Sequence, residues 1–269
     1  MPHPALQEYV IRISTVTACL PAGVNEVVTP YPPTPFQSLM FYGNDPVWMS
    51  REVTGGFEKQ PVSVLVGPQH SRVNVKVSGQ LNAIRVDFAP GGMFRMLGIP
   101  MVELFDGGFD AVEFFGAQIK EVNERLSEIT EPAQGKTIVE KFLLQRSGKL
   151  KCRLPVDTAL RLMLIQDGRE DIEQAASLSC LSLKQFERKC RERVGMNPKT
   201  FARILRFSKA YRMHEAFPEL SWTSIAHEAG YYDQMHMIRD FKIFAGVTPT
   251  VIEKQLLSTP LRMQRDLQY

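Results

Sequence analysis

The sequence predicts an α+β protein, with a β-rich N-terminal half followed by an all-α C-terminal half that contains two helix-turn-helix motifs joined by a long helix. Three observations predict this fold. Apolar and β-branched residues alternate over short segments of the first hundred residues, and apolar residues recur at steps of three and four after about residue 110. A two-helix unit then occurs twice near the C-terminus. The 269 residues are enough for two modest domains with real cores.

The N-terminal half contains four segments with the composition of strands, separated by Gly, Pro and Asn: 10–16, 61–67, 72–79 and 82–88. They predict a sandwich or a small barrel. Residues 31–35 (YPPTP) and 89–93 (APGGM) are predicted loops. Arg85 and Asp87 alternate with apolar residues on one strand, and they either line a pocket or face solvent.

Residues 114–129 and 136–145 have the apolar spacing of amphipathic helices. We expect these helices to bridge the two halves. Their apolar stripes are explained either by packing within the chain or by packing against a second copy in a homodimer.

The C-terminal half is predicted to be helical throughout, with segments at 156–166, 171–179, 182–195, 197–217, 221–230 and 233–246. The first of these ends at Asp167-Gly168. Ser182, Ser221 and Asp233 occupy N-cap positions, and Pro198 lies in a first helical turn, where its missing N–H is tolerated.

An internal repeat relates two pairs of predicted helices, 171–179 with 182–195 and 221–230 with 233–246. With a shift of 51 residues the matched pairs include Ser182 with Asp233, Arg188 with Arg239, Gly195 with Gly246 and Pro198 with Pro249. Each copy predicts a short helix, a tight turn and a capped second helix that ends at a glycine. This is the form of a helix-turn-helix, whose second helix can enter the major groove of DNA.

The second helix of each copy is predicted to have an apolar inner face and a polar outer face. At about 100° per residue, the inner faces comprise Leu183, Phe186, Cys190 and Val194 in copy one, and Met237, Ile238, Phe241, Phe244 and Ala245 in copy two. The outer faces carry Lys184, Gln185, Arg188, Arg191 and Glu192, and Met235, His236, Arg239, Lys242 and Ile243. Arginines there can donate to guanine O6 and N7. A solvated charged face is the simpler explanation for one helix, but matched faces in two copies favour DNA.

Charge distribution also favours a polyanionic partner for the C-terminal half. Residues 1–150 contain 13 basic and 15 acidic residues, a net charge of −2, whereas residues 151–269 contain 19 and 14, a net charge of +5. This asymmetry predicts double-stranded DNA first and an anionic membrane second. The sequence lacks the apolar run of about 18 residues that a spanning helix needs, so we expect no membrane partner.

The pattern W-x-x-I-A-x-x-x-G-Y-x-D-Q-x-x-x-x-R-x-F-K-x-x-x-G-x-T-P, from Trp222 to Pro249, resembles the C-terminal signature of the AraC/XylS family of bacterial transcription regulators. The resemblance implies two helix-turn-helix modules, joined by a helix over 198–214, that read successive major grooves. It places Lys184, Glu187 and Arg188 of one module at base-reading positions, and Gln234, Met235, His236 and Arg239 of the other. With the remaining polar residues of the outer faces, the predicted DNA-binding set is Lys184, Gln185, Glu187, Arg188, Arg191, Gln234, Met235, His236, Arg239 and Lys242.

The resemblance further implies a cupin-like N-terminal domain that binds a small-molecule effector or mediates dimerisation, and RNA polymerase as a candidate partner. The predicted division is a β-rich domain at 1–108, linker helices at 109–150, the DNA-binding domain at 151–255 and a tail at 256–269. We expect a cytoplasmic regulator that activates or represses transcription.

The alternative function is enzymatic, either a metal-dependent cupin enzyme or a DNA-repair alkyltransferase with a helical appendage. The helical zinc motif H-E-x-x-H would need a histidine where Tyr231 follows His227-Glu228, and the first 150 residues contain only His3 and His70. The four cysteines lack C-x-x-C spacing and a neighbouring histidine. We therefore expect no metal, no cofactor and no catalytic residues.

Overall fold

The computed structural model of the chain describes residues 1–258 except 21–22, 44, 52–54 and 130–131, with the backbone alone at 18–19, 132–133 and 255–258. The predicted tail therefore lies almost wholly outside the described residues. Within the described part, the β-rich N-terminal half and the helical C-terminal half are both present, as predicted.

The N-terminal half is a sandwich of two antiparallel sheets. Its strands are β1 (Val10–Cys19), β2 (Glu26–Tyr31), β3 (Ser38–Tyr42), β4 (Val47–Ser50), β5 (Glu58–Lys59), β6 (Ser63–Val66), β7 (Val73–Ser78), β8 (Gln80–Phe88) and β9 (Gly108–Asp110). One sheet has the order β1-β8-β3-β6-β9 and the other β2-β7-β4-β5. The four predicted strands are confirmed. The sequence prediction missed β2, β3, β4, β5 and β9, which are short or interrupted by proline and glycine.

Strand β8 is buried on both faces, because one face meets the second sheet and the other meets helices. Ile84, Val86 and Phe88 pack with the helices. Leu81 and Ala83 pack between the sheets with valines of β4 and β7. Strict alternation therefore turns Arg85 and Asp87 toward the interior of the sandwich.

Four helices follow or cover the sandwich: α1 (Gly92–Leu97), α2 (Val112–Phe115), α3 (Ala117–Ser127) and α4 (Pro132–Ser147). Helix α1 begins inside the segment that was predicted as a loop, so that prediction is wrong for residues 92 and 93. Ile119 and Val122 of α3 and Val139 and Phe142 of α4 are buried in one cluster with the first sheet. Packing within the chain thus accounts for both apolar stripes.

The C-terminal half consists of α5 (Pro155–Ile165), α6 (Ile172–Leu178), α7 (Leu183–Val194), α8 (Pro198–Ala216), α9 (Trp222–Glu228), α10 (Gln234–Phe244) and α11 (Pro249–Ser258). The predicted caps are confirmed at Ser182, Ser221 and Asp233, whose side chains each accept a backbone N–H of the first turn. Helix α11 was not predicted. In the described part of the chain no helix is long and apolar enough to cross a bilayer.

The two helix-turn-helix copies differ by one residue in the turn. The N-caps of the first helices, Asp171 and Ser221, are 50 residues apart, whereas those of the second helices, Ser182 and Asp233, are 51 apart. The uniform shift of 51 is therefore wrong for the first helix. The left-handed residue that ends each first helix is Cys180 (φ 54°) in copy one and Gly230 (φ 79°) in copy two, and the turn after Gly230 is one residue longer.

The two halves are packed together along a shared boundary. Phe36, in the loop between β2 and β3, is 1% exposed and belongs to the hydrophobic core of the C-terminal half. The buried Arg193 near the end of α7 forms an ion pair with Asp157 of α5 at 3.1 Å and lies over the ring of Phe94 of α1. Burial raises the pKa of the Asp157 carboxyl. The contact between the halves therefore includes both apolar and charged side chains.

Candidate nucleic-acid interface

The outer face of α7 is presented to solvent by a fully capped helix. Its inner face buries Phe186, Cys190 and Val194, and the helix ends at Gly195 in the left-handed conformation. All five predicted DNA contacts of this helix are exposed: Lys184, Gln185, Glu187, Arg188 and Arg191. Leu183 was predicted to face inward, but it is 43% exposed, because it is the first residue of the helix and lies beyond the edge of the core.

Gln185 has a structural role at the start of this helix. Its side-chain oxygen accepts the backbone N–H of Ser182 at 3.0 Å, while the Ser182 hydroxyl accepts the N–H of Gln185. This reciprocal pair is a capping box. A DNA contact from Gln185 would therefore use its amide NH₂ group, since the oxygen is already engaged.

The outer face of α10 is formed in the same way. Met237, Phe241, Phe244 and Ala245 are buried as predicted, and Ile238 is half-buried. The five predicted contacts are exposed: Gln234, Met235, His236, Arg239 and Lys242. Because the apolar face of α10 is packed in the core, its polar face is directed toward solvent.

The cap of α10 carries a charged network. The Asp233 carboxylate accepts the backbone N–H of His236 at 2.8 Å and lies 3.0 Å from the His236 Nδ1. The backbone hydrogen bond from His236 is the main reason that the pKa of Asp233 lies below its ordinary value. Asp233 therefore remains ionised and holds His236 at the N-terminal end of the exposed face.

Several basic residues of the long helix α8 are bound within the protein. Arg203 donates to Asp240 of α10 at 2.6 Å, Arg206 donates to the carbonyl of Gly168 at 2.7 Å, and Lys209 pairs with Asp167 at 2.8 Å. These three side chains attach α8 to its neighbours and do not form a freely solvated charged face.

Arg188 and Arg239 differ from those arginines. In the described part of the chain, neither guanidinium is paired with a protein acceptor. Helix α7 directly precedes α8, and α10 packs against α8, where Arg203 pairs with Asp240 and Phe207 lies against Phe241. Helix α8 therefore supports both helices that carry these arginines.

One exposed aromatic residue was missed by the sequence analysis. Tyr232 precedes the α10 cap and is 93% exposed, with its ring 6.0 Å from that of His236 in an edge-on arrangement. Its neighbour Tyr231 is buried and packs against Arg206. Only the fold distinguishes these adjacent tyrosines, and the exposed one belongs to the candidate interface.

The N-terminal half contains a second candidate site, a cavity between the two sheets. It has a volume of about 60 Å³ and apolar walls from both sheets, including Val16, Met40, Val47, Val75 and Leu81, with Arg85 at one wall. Arg85 is buried and donates to Asp87 at 2.6 Å and also to the Tyr31 hydroxyl. The sequence did not decide whether Arg85 and Asp87 line a pocket or face solvent. In the structure, Arg85 lines the cavity.

The described side chains show no arrangement for metal binding, since no three His, Cys, Asp or Glu residues come together there. Cys190 is buried, and burial raises the pKa of its thiol far above the ordinary value, so it stays protonated and is a poor nucleophile. Cys152 and Cys180 are exposed and free.

Family models match both halves of the chain. A model described as a helix-turn-helix domain matches residues 175–255, which include α7 and α10. A model described as a domain of unknown function (DUF6597) matches residues 1–110. No curated protein matches the chain.

Several solved structures resemble this chain over three quarters or more of its length, at low sequence identity. Apo ToxT from Vibrio cholerae strain SCE256, a point variant, has a TM-score of 0.50 at 11% identity and covers 91% of this chain and 97% of its own. Wild-type ToxT from the same strain, bound to an unsaturated fatty acid, has a TM-score of 0.49 at 9% identity, covering 94% and 98%. The AraC-like transcriptional activator CuxR has a TM-score of 0.30 at 11% identity, covering 75% and 78%. At 11% identity and a TM-score of 0.50, the likeness to the ToxT variant concerns the fold alone.

Proposed function

We propose that this chain is a DNA-binding transcription regulator of the AraC/XylS family, and that α7 and α10 enter two successive major grooves of one DNA site. The helix-turn-helix model that matches residues 175–255 supports this proposal. The proposed unit comprises residues 151–255, preceded by the β-rich domain at 1–108 and the helices at 109–150. The N-terminal domain receives a small-molecule signal and passes it to the reading helices.

One observation carries the DNA-reading proposal. Two capped helices present Arg188 and Arg239 at the same position, six residues after each cap, and both guanidinium groups face solvent without a protein partner in the described structure. By contrast, the arginines at positions 203 and 206 of α8 are engaged in internal bonds. The chain thus separates arginines that hold the domain together from arginines that remain available to a ligand.

The proposed roles follow from side-chain chemistry. Arg188 and Arg239 donate two hydrogen bonds each to guanine O6 and N7. Glu187 accepts from a cytosine amino group, and Met235 contacts a thymine methyl. Lys184, Gln185, Arg191, Gln234, His236 and Lys242 supply the remaining contacts to base edges or phosphates. The five cations on these faces at 184, 188, 191, 239 and 242 make binding sensitive to salt.

Regulation is proposed to act through the boundary between the halves. Phe36 of the N-terminal half lies in the core that supports α7 and α10, so a change at the sandwich reaches the reading helices by direct packing. We further propose RNA polymerase and a second copy of the chain as partners. Helices α3 and α4 use their apolar faces within the chain, so a dimer would use another surface. The proposed function is binding, not catalysis.

The test is selection of DNA sites from a random library, followed by titration of the selected duplex. We expect one enriched site of about 20 base pairs. Alanine at Arg188 or Arg239 should weaken binding by about 1–3 kcal/mol and relax preference at one base position each. Lys141→Ala, on the exposed face of α4, is the matched control and should bind normally. Folded protein that enriches no site, or arginine variants that bind like the control, would refute the proposal.

A further inference from the structure

A cluster of charged side chains lies inside the sandwich. The Asp87 carboxylate is fully buried and is shared by two guanidinium groups, those of Arg12 and Arg85. Ser38 donates a third hydrogen bond to it at 2.7 Å. Arg85 is the more deeply buried of the two cations, since its side chain is 6% exposed whereas that of Arg12 is 20% exposed. A buried guanidinium is stabilised by every charged hydrogen bond that an anion offers it.

Arg85 has hydrogen-bonding capacity that its protein neighbours do not use. Its Nε bonds to Asp87, one Nη bonds to the Tyr31 hydroxyl, and the other lies 3.5 Å from the Thr34 hydroxyl. A guanidinium has five N–H donors, and the three acceptors match three of them. Arg85 is 5% exposed and lines the cavity, so its remaining donors are available to a molecule inside the sandwich.

The cavity limits the size and chemistry of such a molecule. One water molecule needs a cavity volume of about 10–15 Å³. A cavity of about 60 Å³ therefore suits a molecule of only a few heavy atoms. A larger open groove lies on the other side of β8, between Thr15, Asn82, Asn123 and Asp45. Among the described residues its lining has a carboxylate and no cation, so the groove disfavours an anion. The cavity instead combines one cation with apolar walls.

A rigid segment connects Arg85 to the DNA-binding half. We call residues 31–38 the proline strap. Tyr31 and Thr34 contact Arg85, Ser38 contacts Asp87, and Phe36 lies in the core of the C-terminal half. Prolines at 32, 33 and 35 each fix one backbone torsion angle. The strap therefore touches the cavity and the DNA-binding core within five residues, with little freedom to absorb a displacement.

We propose that the cavity binds a small apolar monocarboxylate through Arg85, and that the proline strap transmits its binding to the DNA-binding domain. The carboxylate accepts hydrogen bonds from the unused N–H donors of Arg85, while its apolar part lies against the valines and methionines of the two sheets. The binding step stands independently, and the transmission step rests on the proposed DNA-binding function.

Binding is tested by calorimetric titration of the full chain with acetate, propanoate and butanoate, each compared with its neutral amide. We expect at least one acid to bind at least tenfold more tightly than its amide. Arg85→Met should weaken that binding about 10- to 100-fold, the usual effect of losing charged hydrogen bonds, and Arg85→Lys should retain a preference for the acid. Equal binding of acids and amides, no binding of any acid, or an Arg85→Met variant that binds like wild type would overturn the proposal.

Transmission is tested by measuring the affinity for the selected DNA with and without the saturating acid. Wild type should change its affinity by about 5-fold or more, in the range usual for coupled sites. Pro33→Gly/Pro35→Gly should bind the acid normally while this ratio falls toward one. An unchanged ratio in the double variant would overturn transmission through the strap.

Hydrogen exchange on the wild-type chain provides a second measurement that does not depend on the variant folding. The acid should slow exchange of backbone amides in the strap and in the helices that pack on Phe36, and unchanged exchange in both would contradict the proposal. The two hypotheses fail separately. If the protein does not bind DNA, the proposed function is refuted, while calorimetry and hydrogen exchange still test whether the cavity binds a carboxylate. If the protein binds DNA but shows no preference for acids over amides, only the carboxylate proposal is refuted.

Discussion

Alanine substitutions at two equivalent glycines test whether the two halves of the chain are packed together in solution. Gly195 ends α7 with φ 79°, and Gly246 follows α10 with φ 72°. The two glycines are paired by the internal repeat and have the same left-handed backbone conformation. Their surroundings differ, because Gly195 lies at the boundary between the halves and Gly246 lies in open space.

The structure gives an expected cost for each substitution. Any alanine in the left-handed region costs about 1–2 kcal/mol, which is the whole cost for Gly246→Ala. A Cβ at Gly195 would in addition overlap the ring of Pro68, lying 2.9 Å from its Cβ and 3.0 Å from the Met101 carbonyl oxygen. Neither a proline ring nor a backbone carbonyl can swing away, so overpacking adds about 1–3 kcal/mol. Gly195→Ala should therefore cost about 2–5 kcal/mol.

The measurement is the midpoint of thermal unfolding of each variant. At about 2–4 °C for each kcal/mol in chains near this size, Gly195→Ala should melt about 2–12 °C below Gly246→Ala. Gly246→Ala is the control for backbone strain, because only the contact with Pro68 and Met101 separates the two. Equal melting temperatures would show that the boundary is not packed in solution, and they would refute the inference that the sandwich acts on the reading helices by direct contact.

Three further predictions concern charged side chains. Asp87→Asn leaves the buried Arg85 and the half-buried Arg12 without their anion and should cost about 3–5 kcal/mol of unfolding free energy, measured by thermal melting. The control is Asp110→Asn, whose half-buried carboxylate accepts one backbone N–H and which should cost about 1 kcal/mol. A smaller loss than in the control would contradict the buried cluster. Burial raises the pKa of Asp87, but Arg85 and Arg12 outweigh burial and hold it below its ordinary value. The stability that the ionised Asp87 contributes is therefore present above about pH 4 and is lost as pH falls through its depressed pKa. The urea midpoint of the wild type should decline in acid, and that of Asp87→Asn should decline less. Parallel declines of the two midpoints would contradict this. Arg191→Ala should weaken DNA binding equally for all sequences and reduce the slope of log affinity against log salt concentration by about 1. Fluorescence anisotropy over a series of salt concentrations measures both effects. A loss of affinity confined to one base position would instead assign Arg191 to base reading.

Much of the DNA-binding half could be predicted because its signals are local. Caps at Ser182 and Asp233, the glycine that ends α7 and the spacing of Phe186 and Cys190 depend on residues within one or two turns of each other. The exposed faces of α7 and α10 follow directly from that spacing. Prediction failed at Leu183, where periodicity continues past the edge of the core, and at the first helix of each copy, where a turn one residue longer in the second copy breaks a uniform shift.

The N-terminal half was predicted less completely because its structure depends on distant residues. Strand β3 is identified by its pairing with β8, in which Leu39 lies opposite Val86, and no local pattern announces this partner. The alternation of residues 84–88 was visible, but both of its faces are buried. The sequence therefore could not decide whether Arg85 and Asp87 face solvent or the interior.

The sequence by itself determined the order of strands and helices in outline, the duplicated reading unit and the arginines placed six residues after each cap, because these features depend on short-range periodicity and capping. Only the tertiary structure decided that Arg188 and Arg239 are available while Arg203 and Arg206 are engaged, since each outcome depends on an acceptor brought from elsewhere in the chain. It likewise placed Phe36 in the core of the other half and Arg85 at a cavity. Those positions arise from long-range packing, in which a residue's surroundings are set by elements that are remote in sequence.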